Sequence, residues 1–133
     1  VSGKGNSIKH PPQFERALLI TGKMRSTIFI SGTASIIGQD IIGIEDIERQ
    51  TVVTIDNINK LTDQKRIGQM IANSGKEWGK FILLRVYVKN QDDFAKVKMI
   101  CSQRFPEVPA IFIQSDICRD NLLVEIEAEF LIK

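Results

Sequence analysis

From Leu122 onward the chain alternates with period two. Leu122, Val124, Ile126, Ala128, Phe130 and Ile132 fall on one face, and Leu123, Glu125, Glu127, Glu129 and Leu131 on the other, the pattern of a half-buried strand. Three carboxylates in a row repel one another, so they require solvent, cations or a neighbour that places them for chemistry. Residues 16–21 and 27–31 are two more β-rich runs, and the loop-forming stretch 22–26 between them predicts an antiparallel hairpin. The small residues Ser31, Gly32, Thr33, Ala34 and Ser35 follow, permitting either a bulge or a close approach to the backbone. Residues 36–44, punctuated by Gly38 and Gly43, read as a short extension and a loop.

The period then changes. Ile44, Ile47, Thr51, Ile55, Ile58 and Leu61 recur at three or four, predicting a helix from Glu45 with Glu45, Asp46 and Glu48 in its first turn, where the helix dipole favours negative charge. Thr62 can cap a second segment whose stripe, Ile67, Met70 and Ile71, runs to the C-cap signature Asn73-Ser74-Gly75; one bent helix and two helices fit equally well. Residues 81–89 read as a central strand with Phe81, Leu83, Arg85 and Tyr87 on one face. A buried, unpaired guanidinium is very costly, so Arg85 is expected to meet a carboxylate, a ligand anion or solvent. Asn90 can cap a helix carrying Phe94, Val97, Ile100 and Cys101 on one side, which ends before Pro106. Pro106 and Pro109 force an extended link. A strand over 110–115 and the turn 116–121 lead into the last strand.

The order β-β-α(α)-β-α-β-β predicts an α+β fold, a two-layer mixed sheet with helices on one face. The other face keeps Phe29, Phe81, Leu83, Tyr87 and Ile111. Left uncovered by the chain's own helices, it is expected to be a subunit interface.

Length and charge narrow the picture. The 133 residues suit one domain over 14–133, after an arm at 1–13 without periodicity. Eighteen Lys and Arg stand against 16 Asp and Glu, and the cations are scattered, so no electrostatic footprint for nucleic acid is expected. Cys101, Cys118 and the single His10 lack zinc-site spacing, so neither a metal nor another cofactor is expected. No apolar run approaches the ~20 residues of a membrane helix, and no signal-peptide core is visible; the expectation is a soluble cytoplasmic protein without a membrane partner. Val1 at the first position suits a processed product, an expression fragment or the C-terminal part of a longer chain.

Ile30-Ser31-Gly32, the Asp46, Gln50, Asn57-Ile58 series, residues 85–89 followed by Asp93-Phe94, and the closing Val124-Glu125-Ile126-Glu127 resemble the Rid (YjgF-type) superfamily over residues 14–132. That superfamily includes imine deaminases and proteins called L-PSP endoribonucleases or translation inhibitors. The resemblance implies a chorismate-mutase-like fold, a homotrimer, and small-molecule sites in the clefts between subunits. Residues 29–38, Asp116-Ile117-Cys118-Arg119 and residues 122–127 are similar, more finely, to the C-terminal half of chorismatases, which hydrolyse the enolpyruvyl ether of chorismate. Two departures stand out. The imine deaminases carry an arginine for the substrate carboxylate after a Pro-Ala pair, where Pro109-Ala110 is followed by Ile111; their N-terminal tyrosine is replaced by Phe14. The chorismatases' N-terminal half has no counterpart here.

The resemblance places Glu125 at the superfamily's acid/base glutamate, where half-burial between subunits raises a carboxyl pKa towards neutrality. Ser31 and the Gly32 backbone are expected to hydrogen-bond a substrate oxygen, Arg85 or Arg16 to bind a small-molecule carboxylate, and Phe14 to line the same site. Blander readings stand beside these: Ser31 capping a bulge, Arg16 solvated at an edge, Arg85 paired with Glu125 as structure. Glu129, nearest the chain end, is expected to be solvated. Three functions follow: hydrolysis of an enol ether or imine of a small carboxylate, a non-catalytic binding or interaction module, and RNA cleavage. The last is disfavoured by the lack of a basic patch and of a stacking aromatic series.

Overall fold

The computed structural model describes residues 17–21, 26–63 and 79–132. The expected arm, Phe14, Arg16 and the second helical segment past Asp63 lie outside them. The elements run β1 (Ala17–Thr21), β2 (Ser26–Thr33), β3 (Ile36–Ile37), β4 (Asp40–Ile41), α1 (Ile47–Leu61), β5 (Lys80–Val88), a 3-10 turn (Gln91–Asp93), α2 (Phe94–Arg104), β6 (Ala110–Gln114) and β7 (Val124–Ile132). Five strands form one sheet in the order β1-β2-β7-β5-β6, and β3 and β4 pair separately. Only β5 and β6 are parallel in the main sheet, and α2 connects them, as a parallel crossover demands.

The alternation along β7 resolves as expected: Val124, Ile126, Ala128 and Phe130 are buried, while Glu125, Glu127 and Glu129 are half-buried on the opposite face. The buried row joins Ile28 and Ile30 of β2, Leu84, Val86 and Val88 of β5, Ile55 and Ile58 of α1, and Val97 and Cys101 of α2 in one core. Both helices therefore cover one face of the mixed sheet.

Local chemistry moves two helix boundaries. α1 starts at Ile47, not Glu45, because Asp46 is its N-cap and accepts the Arg49 N–H at 3.0 Å. Glu45 adopts a left-handed φ of 61°, in a turn where Gly43 has φ 77°, and Ile44 is exposed rather than part of the apolar stripe. Asn90 makes no side-chain cap; a 3-10 turn leads into α2 instead.

Phe81 is the third change. It pairs with Phe130, but Leu83 pairs with Glu129, so Ile82 is an extra residue in β5. That bulge turns Phe81 to the helix side, where it meets Phe105 and Phe130 edge-on with ring centroids 5.0 Å away. Phe81 thus leaves the open face, which carries Leu18, Phe29, Ile111 and Ile113 as exposed apolar residues around a polar centre.

Candidate functional site

The second bulge builds the polar centre. Ile30 pairs with Ala128 and Thr33 with Ile126, so β2 uses three steps where β7 uses two, and the surplus falls at Ser31-Gly32. The Thr33 hydroxyl closes it by donating to the Ser31 carbonyl at 2.9 Å. Thr33 is buried, whereas Ser31 stays exposed. A Cβ placed on Gly32 would lie 2.9 Å from both Cδ and Oε1 of Glu125. Glycine is what lets the carboxyl of Glu125 rest against the bulge. Of the expected site residues, the structure sets Gly32 against Glu125, with Ser31 next to Gly32 in the bulge.

Arg85 is placed differently. It lies opposite Glu127, and its Nε donates to Glu127 Oε1 at 2.9 Å while Nη1 donates to Glu129 Oε2 at 2.8 Å. The expected carboxylate partner exists, but it is Glu127 with Glu129 rather than Glu125; the antiparallel register sets Tyr87 across from Glu125. Glu129 is not solvated as expected either. Flanked by Phe29 and Leu83 in the ladders, its side chain is 21% exposed and held by Arg85. The Tyr87 hydroxyl donates to the same Glu127 oxygen at 2.8 Å.

The charges respond to these contacts. Hydrogen bonding from Arg85 holds the Glu127 carboxyl below its ordinary range. The bond to Glu127 raises the pKa of Tyr87 above its ordinary value of 10.0. Arg85, bonded to two carboxylates, holds its proton more firmly still. Two carboxylates and one guanidinium leave this group with a net negative charge. As a substrate anchor, Arg85 would have to give up an ion pair already made.

Behind the site, Gln50 was the functional-looking residue whose role periodicity concealed. It is fully buried on α1; its Nε2 donates to the Gly43 and Asn121 carbonyls at 3.1 and 2.8 Å, and its Oε1 accepts the Leu123 N–H at 2.8 Å. Lys89 Nζ donates to the carbonyls of Arg119 and Asp120 at 3.2 and 2.8 Å. Together they fix the loop that delivers Glu125. A glutamine among the apolar positions of α1 was the available signal.

Cys101 is buried, which pushes its thiol pKa up to about 11, and Cys118 is exposed. Among the described residues no group of three or more His, Cys, Asp or Glu could hold a metal ion, and no helix is long and apolar enough to cross a membrane.

No family model matches the chain. A chorismatase from Streptomyces rapamycinicus is 32% identical over 120 residues, covering 88% of this chain and 36% of that protein. The chain thus spans about a third of the length of the curated relatives it matches. A chorismatase crystal structure superposes with a TM-score of 0.72 at 27% identity, covering 86% of this chain and 35% of the other. A Rid-family protein of unknown function from Yersinia pestis superposes with a TM-score of 0.64 at 21% identity, covering 86% of this chain and 83% of that one. The chain has the fold of the YjgF/Rid proteins over most of its length and is a sequence relative of the chorismatases.

Proposed function

We propose that this domain binds a small carboxylate metabolite in clefts between subunits of a homotrimer and hydrolyses an enol ether, or an imine, with Glu125 as acid and base. The observation that carries the reading is the seat of Glu125: a carboxyl packed against the Gly32 bulge, on the sheet face opposite the described helices. Arg85 meanwhile engages the other two carboxylates of that row. One glutamate is thereby set apart from its neighbours in environment, the usual way a protein divides roles among carboxylates.

For an enol ether, the Glu125 carboxyl passes its proton to the terminal carbon of the C=C bond, leaving an oxocarbenium ion. Water adds to the cationic carbon that bears the ether oxygen, and its surplus proton returns to the Glu125 carboxylate. The hemiketal then collapses, breaking the C–O bond to release an alcohol and a 2-oxo acid. For an imine the proton goes to nitrogen, and water addition leads to a ketone and ammonia. Ser31 and the Gly32 backbone supply hydrogen bonds to the substrate oxygen; Arg16 is the remaining candidate for the substrate carboxylate and Phe14 a further candidate binding residue. Exposed Leu18, Phe29, Ile111 and Ile113 on the open face support its burial against further copies of the chain.

Chorismate is the first substrate to test, with pyruvate release followed by lactate dehydrogenase. Turnover by the wild type and its loss in Glu125→Gln, with assembly and melting temperature kept, is the expected result. A second reading, a binding module without turnover, is favoured by the engagement of Arg85 with Glu127 and Glu129 in place of a substrate carboxylate. It predicts chorismate binding without pyruvate. RNA cleavage draws no support from Arg85, whose guanidinium is held by two carboxylates.

A further inference from the structure

Tyr87 is the only tyrosine in the chain. It lies opposite Glu125 in the β5–β7 ladder, yet its hydroxyl reaches one rung along to Glu127 Oε1, 2.8 Å away. A carboxylate can only accept, so the phenol is the donor in that bond. The phenol has one proton; once committed, it leaves only lone pairs for any other partner. Arg85 leans the same way, from its own opposite, Glu127, to Glu129 at the next rung. Arg85 and Tyr87 thus both aim their donors at the Glu127–Glu129 end of the row. Towards a molecule lying over Glu125, Tyr87 offers acceptance alone.

We propose that Tyr87 determines specificity: with its hydroxyl proton held by Glu127, it accepts a hydrogen bond from the ligand and so selects substrates that present an O–H or N–H donor beside the group Glu125 protonates. This rests on the reading of Glu125 as the acid. The ligand class is a hydroxylated or ammonium-bearing carboxylate; an ether or ketone oxygen at that point meets lone pairs and is rejected. Glu127 and Arg85 are positioning residues in this scheme, acting through Tyr87. Arg85 keeps Glu127 ionised, and an ionised Glu127 keeps the Tyr87 proton turned away from Glu125.

Because Tyr87 has no tyrosine companions, its ultraviolet resonance Raman doublet reads one hydroxyl in the intact protein at neutral pH. The wild type and Glu129→Gln, which leaves the Tyr87–Glu127 bond in place, are expected to show the doublet of a strong donor. Glu127→Gln is expected to shift it towards the mixed donor–acceptor ratio. A mixed ratio in the wild type overturns the proposal whatever the substrate. The second arm uses chorismate, which carries a ring hydroxyl, as the probe: Tyr87→Phe should raise KM about tenfold while kcat stays within a few-fold. An unchanged KM in a folded Tyr87→Phe protein refutes the ligand contact. Absence of chorismate turnover in the wild type overturns the acid reading and the ligand preference with it, while the doublet decides separately whether the hydroxyl is committed.

Discussion

Arg85→Met isolates the ion-pair centre, because methionine keeps much of the aliphatic stem and removes only the guanidinium. Two charge-assisted hydrogen bonds are lost, at 2.9 and 2.8 Å. In a dry interior such bonds contribute roughly 1.5–3 kcal/mol each, whereas exposed ion pairs contribute about 0–1 kcal/mol. The three side chains retain 21–32% exposure, so water partly re-solvates the stranded carboxylates. A loss of about 2–3 kcal/mol in total is the working figure, equivalent to a fall in Tm of roughly 6–12 °C for a domain of this size. Acid should narrow the gap. Arg85 lowers the folded pKa of Glu127 below its ordinary 4.5, so the associated stability is present above that value and disappears as pH falls through the folded pKa. Thermal melts of wild type and Arg85→Met at pH 7 and at steps down to pH 3 test both points. A gap under about 2 °C at pH 7, or one that widens with acid, would refute this account of Arg85. Glu125→Gln provides the internal contrast: Arg85 keeps both partners, so its Tm should fall by less than that of Glu127→Gln.

Gly32→Ala should slow turnover by roughly 10–100-fold, because the new Cβ displaces a carboxyl 2.9 Å away, while the melting temperature hardly moves since a flexible side-chain end can yield. An equally active Gly32→Ala would dissociate Glu125's seat from catalysis. Gln50→Leu strands buried groups of three hydrogen bonds and should cost about 3–5 kcal/mol by urea denaturation; a loss under 1 kcal/mol would count against its bridging role. Ile113→Glu on the open face should convert a trimer to monomers in light scattering, and a wild type that is already monomeric would end the assembly proposal. At pH 8 a thiol reagent should modify the exposed Cys118 rapidly and the buried Cys101 only on unfolding; two fast thiols per chain would contradict the packing.

Face was legible in the sequence wherever a strand kept strict period two, and β7 did so from Val124 to Phe130. The helix face was equally plain in Ile47, Ile55 and Ile58. Periodicity carries no information about an extra residue, however, and both bulges escaped it in different degrees. At Ser31-Gly32 the small residues announced that something irregular was allowed. At Ile82 nothing did, because an apolar residue between apolar neighbours looks the same in a regular strand, and Phe81 was assigned to the wrong face. Only the pairing of Phe81 with Phe130 and its packing on Phe105 reveal the step.

Register explains the remaining difference at the site. The need of Arg85 for an anion follows from its own chemistry, and the row Glu125, Glu127, Glu129 follows from alternation; which of the three it meets depends on how β5 slides against β7, a choice fixed by contacts far apart in sequence. Sliding by two residues would keep every side chain on its face and leave the hydrophobic pattern satisfied, yet set Arg85 opposite Glu125. The β7 ladder is held at its start by Leu123, whose N–H is bonded to Gln50 and whose carbonyl accepts the Lys89 N–H at 3.0 Å. Those two anchors join the loop before β7 to α1 and to the end of β5. The observed register gives Glu127 and Glu129 to Arg85 and leaves Glu125 between Tyr87 and the Gly32 bulge. A buried glutamine on a helix thus helps decide which glutamate on a distant strand occupies the candidate site.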